Sequence, residues 1–477
     1  MAPRDPTEVA MDLAVITSFP PRLTGISQYG LHLCQALART GQLGRIAVLA
    51  EIDGQAGDSA ALGPSVEVRR CWRYGHPALG LQLLRGLEDT HCGRAWVNFG
   101  FGSFGPSPAA LLSALVGLTL AARRGFALLI TLHEASAVST EEAGALWGVP
   151  LGRILDGLFR WLIRIGAVAV PLRADAQRLR ARFPQAAIVH LPHGSFYPPE
   201  ALPEPERPSL LFFGSLAPYK GIDLLLEAFR SLRAQHPELS LEIAGAEHPR
   251  FPGYAHRLRA ASTHLPGIHW LGPVEEATVR ALFARNTLVV LPYRQATGPS
   301  SVMIRAAAWG RAVVASDLPA LRAAAAEADL LSEWIPSRDP AALARAIARL
   351  LQRLDLRAHQ RQHNLQAIAS CTIDIVAQAY ARVLEALPAL SCNRFPRRGP
   401  IIGAHTDNVM ELSSKPPFLG VGERGGSIPP STFRSVQQSD PTGPLADPVP
   451  PSSSPRPLRW RGWGESFQPG RPSRDLP

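Results

Sequence analysis

Leu210-Leu211-Phe212-Phe213-Gly214-Ser215-Leu216-Ala217-Pro218-Tyr219-Lys220-Gly221-Ile222-Asp223-Leu224-Leu225-Leu226-Glu227-Ala228-Phe229 is the segment that decides the architecture. It opens on four apolar residues in a row, as a strand buried on both faces requires. Glycine and proline then punctuate a short loop. From Gly221 to Ala234 the apolar residues recur at helical spacing. Strand, tight loop and helix in that order form the repeating unit of a parallel α/β sheet.

Downstream the unit recurs. Leu239 to Ala244, Ile268 to Leu271, Leu288 to Leu291 and Ala312 to Ala315 read as strands. Helical segments fall between and after them, notably Glu275 to Ala284, Ser301 to Trp309 and Pro340 to Leu354. Upstream, across the proline-rich break Pro198 to Pro208, a second series appears: strands Asp12 to Phe19, Arg45 to Ala50, Ala95 to Phe99, Phe126 to Leu132 and Ala167 to Leu172, with helices such as Gln28 to Ala38 and Ala174 to Phe183. The expected fold is α/β, with two Rossmann-like parallel-sheet domains facing a cleft. The expected boundaries are 1–198, 199–370, a closing helix within 371–390, and a tail, 391–477. That tail holds 16 prolines in 87 residues and no apolar periodicity, a composition expected to be disordered.

Composition narrows the class. At 477 residues, 46% hydrophobic and 18% charged, the chain is long enough for two or three globular cores. Lys plus Arg exceed Asp plus Glu by 49 to 39, a net +10 that favours anionic partners. Five scattered cysteines, Cys34, Cys71, Cys92, Cys371 and Cys392, have neither the pairing expected of a disulfide framework nor zinc-ligand spacing. With no secretory stretch in Met1 to Ala10, a cytoplasmic location is expected. The apolar run Pro108 to Ala122 is 15 residues long, short of the ~20 needed to span a bilayer, and reads as a buried helix. The surplus of +4 in the first half leaves room for peripheral contact with a membrane face. A solvated helix face is the simpler reading of Arg160 and Arg164. Arg456, Arg459 and Arg461 alternate with Trp460 and Trp463 in the tail, but without a folded platform no nucleic-acid partner is expected.

Several residues stand where ligands meet open α/β sheets, beyond the carboxyl ends of strands. Lys220 is the only lysine before residue 415 and sits where a loop enters a helix. It reads either as a phosphate-binding ammonium or as an exposed lysine, and spacing alone does not separate the two. Gly25, beside Thr24 and Ser27, follows the first strand, where backbone approach to an anion or a plain turn are both open readings. His133 and Glu134 end a strand; the histidine is a hydrogen-bonding or acid–base candidate, or a satisfied strand-end residue. His190 and His193 read as structural. Thr297-Gly298-Pro299-Ser300-Ser301 begins another helix after a strand; a capped helix start is the simpler reading, and a second place for an anion or hydroxyl the other.

Taken in order over residues 11 to 388, these segments resemble the retaining, nucleotide-sugar-dependent glycosyltransferases of family four, which have the two-domain GT-B fold. The resemblance is carried by PPRLTGISQYG, ITLHEAS, VHLPHGSFYP, LLFFGSLAPYKGIDLLLEAF, LEIAG, IHWLGPV, LVVLPY and SVMIRAAAWGRAVVASDLPALR. It implies that Gly25 lies against donor phosphates and acceptor, that His133 borders the reacting sugar, and that Lys220 binds the donor diphosphate. By the same resemblance Gly272 and Val274 flank the nucleobase, while Gly298, Ser300 and Ser301 cup sugar and phosphate.

Where many family members carry an arginine, this chain has Ser215; where they carry two glutamates eight positions apart, it has Thr297 and Arg305. Arg305 offers donors only, so it cannot accept from ribose hydroxyls, and the expectation is that it replaces the diphosphate cation missing at Ser215. The reading is a glycosyltransferase with a nucleotide-sugar donor and a glycan, lipid-linked or small-molecule acceptor. No metal or other cofactor is expected. A catalytically degenerate GT-B binding protein is the alternative that the altered glutamate positions raise, and a sugar-nucleotide epimerase is a second.

Overall fold

The computed structural model describes residues 11–22, 24–52, 62–135, 151–296 and 298–392. Thr297 and nearly all of the expected tail lie outside the described residues. The first sheet is built from β1 (Met11–Ile16), β2 (Leu43–Glu51), β3 (Val66–Trp72), β4 (Arg94–Phe99), β5 (Ala127–Leu132), β6 (Ala167–Val170) and β7 (Ile188–His190). Helices α1 (Gly25–Arg39), α2 (Leu79–Thr90), α3 (Pro108–Arg123), α4 (Leu151–Ile165) and α5 (Arg173–Arg182) run between its strands. The second contains β8 (Ser209–Phe213), β9 (Ser240–Ala244), β10 (Ile268–Gly272), β11 (Leu288–Leu291), β12 (Ala312–Ser316) and β13 (Glu333–Ile335). Its helices are α6 (Ile222–Arg233), α7 (Tyr254–Ala261), α8 (Glu276–Ala284), α9 (Ser301–Ala308), α10 (Pro319–Glu327), α11 (Pro340–Gln352) and α12 (Leu354–Ala369). A last helix, α13 (Ile373–Cys392), follows.

Every strand pair is parallel. The orders are β3-β2-β1-β4-β5-β6-β7 and β10-β9-β8-β11-β12-β13. Helices cover both faces of such sheets, which is why central strands are apolar throughout: Leu13, Ala14, Val15 and Ile16 are all fully buried. In each sheet the direction of winding reverses once, between β1 and β4 and between β8 and β11. The carboxyl ends beside those reversals are where a ligand finds room.

The two halves are joined twice. The chain crosses after β7, and it returns before α13, where Ser195 donates to the Cys371 carbonyl and accepts from Ile373 N–H, both at 2.7 Å. Helix α13 then packs on the first half, with Val376, Tyr380, Leu384 and Leu387 buried in its core. No helix among the described residues is long and apolar enough to cross a membrane.

Three expectations change. The edge strands β3 and β13 were not expected. The run from Pro108 is a helix, but not a buried one, since Leu112 and Val116 are about half exposed. The helix expected over Pro340 to Leu354 ends at Gln352, and a separate helix starts at Leu354.

Candidate active site

At the second reversal, two loops are stitched together. Pro218–Lys220 forms one turn of 3₁₀ helix, and Gly221 follows at φ +68°. A Cβ there would lie 1.9 Å from the Pro292 carbonyl, so only glycine lets the loop after β8 meet the loop after β11. Arg294 N–H donates to the Tyr219 carbonyl at 2.8 Å, and the Lys220 ammonium stands 3.7 Å from the centre of the Tyr293 ring. Among the described residues no carboxylate pairs with Lys220. Its half-buried charge is met by aromatic faces, Tyr293 and, at 5.6 Å, Tyr219.

Helix α9 begins on the same side. Its N-cap, Ser300, makes no side-chain capping bond, so the first N–H groups carry the partial positive charge of an open helix start. Ser301 is half-buried beside it, and Ser215, half-buried after Gly214, makes no side-chain hydrogen bond among the described residues. Lys220, Ser215 and Ser300 thus belong to the loops that leave the neighbouring strands β8 and β11, and Ser301 opens α9 beside them. Gly272 and Val274 do not: Gly272 ends β10 at the sheet edge, two strands from β8, and Val274 follows it, packed on the second core.

Arg305 lies on α9 and is 5% exposed. Its Nη1 is 2.9 Å from Glu276 Oε1 at the start of α8, and the guanidinium sits among the rings of Phe196, Tyr197 and Phe213. The Tyr197 hydroxyl also donates to Glu276 Oε1, and His32 of α1 approaches it at 3.9 Å. Burial alone would raise the Glu276 pKa; His32, Arg305 and Tyr197 outweigh it and bring it to about 2. The cation expected to meet a diphosphate is therefore engaged with an internal carboxylate.

At the first reversal, Gly25 opens α1 behind a capping box: Ser27 N–H donates to Thr24 Oγ1 at 3.1 Å, and Thr24 N–H to Ser27 Oγ at 2.9 Å. His133 follows β5, and its Nε2 is 2.6 Å from Asn98 Oδ1 on β4. Tyr29 lies edge-on to His133 at 4.8 Å and beside His193 at 4.9 Å. Burial, then the neighbouring His193, lowers the His133 pKa to about 3; burial lowers that of His193 to about 4. Both are neutral at pH 7. Burial raises the Glu134 pKa to about 7 although it accepts from Phe101 N–H. The two halves meet here: a Cβ on Gly298 would lie 2.5 Å from the His133 carbonyl.

Sequence reasoning missed Asn98, Tyr29 and Glu276, and set His193 aside. Asn98 had a signal, a lone amide in the apolar strand AWVNF. Glu276 had none, because an acid at a helix start is ordinary.

Residues 207–353 match the family model described as glycosyl transferases group 1. A phosphatidyl-myo-inositol mannosyltransferase of Mycolicibacterium smegmatis is 29% identical over 182 residues, which cover 38% of this chain and 45% of that protein. The chain thus spans about half the length of the curated relatives it matches. Among solved structures, the sucrose-phosphate synthase of Thermosynechococcus elongatus superposes with a TM-score of 0.63 at 18% identity, over 80% of this chain and 99% of that one. A pneumococcal O-GlcNAc transferase, solved with UDP and GlcNAc, gives 0.59 at 13% identity over 80% and 99%. The fold is the two-domain GT-B arrangement.

Proposed function

We propose that this protein is a glycosyltransferase that moves a sugar from a nucleoside diphosphate donor to a lipid-linked polyol or glycan acceptor, with retention of anomeric configuration. The observation that carries the reading is the Lys220 ammonium, free of any carboxylate among the described residues, on the loop joined to the one that leads into α9. A diphosphate leaving group accumulates negative charge as the glycosidic bond breaks. A fixed ammonium and a helix start stabilise that charge more in the transition state than in the ground state. The family match over 207–353 and the names of the relatives support both the transfer and the acceptor class.

In this reading Gly25 and the start of α1 face the donor phosphates and the acceptor. Ser215, Ser300 and Ser301 add hydroxyl and N–H donors, Gly298 closes over His133, and Gly272 with Val274 borders the base. Arg305 contributes indirectly, by holding Glu276 and the linker aromatics in place. His133, neutral at pH 7, serves as a hydrogen-bonding group at the sugar. No metal is needed, since Lys220 and backbone donors meet the charge.

Calorimetry of UDP, GDP, ADP and TDP against the full chain and its Lys220→Ala variant tests the reading. Micromolar binding of one nucleotide, weakened tenfold or more in the variant, supports it and names the base. Binding of none overturns it and leaves the catalytically degenerate protein in its place. Retention is read separately, from the anomeric configuration of the first product by NMR.

A further inference from the structure

Asn98 is wholly buried in a strand whose neighbours Ala95, Trp96, Val97 and Phe99 are equally buried and apolar. A buried amide costs free energy unless its atoms find partners, and both ends of this one do. Nδ2 is 2.9 Å from the Ile26 carbonyl and 2.9 Å from Thr17 Oγ1. Thr17 commits its own proton to the Ser18 carbonyl at 2.8 Å, so toward Asn98 its oxygen accepts. A carbonyl oxygen only accepts. Two acceptors on one side fix the NH₂ there; the flipped amide would set Oδ1 against the Ile26 carbonyl.

Oδ1 then faces His133 Nε2 at 2.6 Å and has no proton to give. Nε2 must supply it. A neutral imidazole carries one N–H, so Nδ1 is left with a lone pair and has no hydrogen-bond partner among the described residues. Tyr29, packed edge-on to the ring, limits its rotation.

We propose that Asn98 is a positioning residue that locks His133 in the Nε2–H tautomer, leaving Nδ1 to accept a hydrogen bond from a ligand hydroxyl. A ring held this way disfavours phosphate and carbonyl oxygens at Nδ1, because they offer no proton. Calling the ligand a sugar rests on the proposed transferase activity. The tautomer does not, and it is read in the ligand-free protein.

The test is histidine-selective ¹⁵N labelling of the full chain at pH 7.5, with the His133 signals assigned by their loss in His133→Gln. Long-range ¹H–¹⁵N correlation should give a protonated, pyrrole-type Nε2 and an unprotonated, pyridine-type Nδ1, with no second form. Asn98→Leu should bring in a measurable Nδ1–H population. A wild-type spectrum showing Nδ1–H or a mixture overturns the proposal and requires no variant to fold. So does a folded Asn98→Leu protein whose His133 remains as purely Nε2–H as wild type. Failure of every nucleotide to bind would instead remove the transferase reading and leave the tautomer standing.

Discussion

The two halves share one strand order and differ in what stands at its reversal. Beside β8 and β11 a charge is left open: Lys220 has no carboxylate among the described residues, and Ser300 does not cap the helix it begins. Beside β1 and β4 most of the polar groups pair with one another, and what is left over, His133 Nδ1, carries no charge. Asn98 bonds Thr17, Ile26 and His133, while Tyr29, Tyr380, Thr131 and Trp96 form a buried chain with links of 3.1, 2.8 and 2.9 Å. An open cation attracts a multivalent anion from solvent. In the proposed reading, a neutral, oriented network discriminates among hydroxyls by which atoms hold protons. One topology would then serve two kinds of recognition, chosen by which polar groups the fold leaves unpaired.

The contrast should break most severely where the halves touch. Glu276→Ala leaves Arg305 buried without its counter-charge, at a cost of about 3–5 kcal/mol; denaturant unfolding of the variant checks it. Gly298→Ala drives a methyl group toward the His133 carbonyl. It should lower turnover by about 100-fold, while calorimetry finds nucleotide affinity nearly unchanged, separating catalysis from charge recognition. Lys220→Ala should do the opposite, weakening nucleotide diphosphate binding by roughly tenfold to a hundredfold, the value of a charge-assisted hydrogen bond, with little change in melting temperature.

Acid sharpens the comparison on the neutral side. His133 and His193 have folded pKa values of about 3 and about 4, below the ordinary 6.5, so the unfolded chain takes protons first as pH falls and stability declines from pH 6.5 downward. Glu134 acts in the opposite sense: its folded pKa of about 7 lies above 4.5, so its contribution is lost as pH rises between the two. From pH 6.5 to 5 these leave a net loss of about 1 kcal/mol, growing to about 3 kcal/mol in Glu134→Gln. Thermal melts at the two pH values measure both. The smallest expected effect is that of EDTA, which should leave transfer unchanged in a turnover assay.

The second half was the more legible in sequence. The strand Leu288–Leu291 was bounded to the residue, because a four-residue run of leucine and valine stopped by Pro292 is too short for a helix. The strand β3, VEVRRCW, escaped because it lies at the sheet edge, where Glu67, Arg69 and Arg70 reach water and interrupt the apolar pattern. Helix α12, LDLRAHQRQHNLQAIA, escaped because three of the four residues it buries, Arg357, Gln360 and Asn364, are polar, leaving no apolar stripe. At the site, Lys220 and the loop before α9 were visible as local motifs. The pairings of Asn98 with His133 and of Arg305 with Glu276 join residues 35 and 29 positions apart on different elements, and no local pattern announces them.

The return of α13 also has a consequence for synthesis. Tyr29 meets Tyr380 across 351 positions, so the first half, once it has left the ribosome, lacks a wall of its core until nearly all of the described chain has followed. At typical elongation rates the interval from β7 to Tyr380 is roughly ten to forty seconds. Through that interval the nascent first half exposes the apolar surface that Val376, Tyr380 and Leu384 will cover, a surface a chaperone can hold.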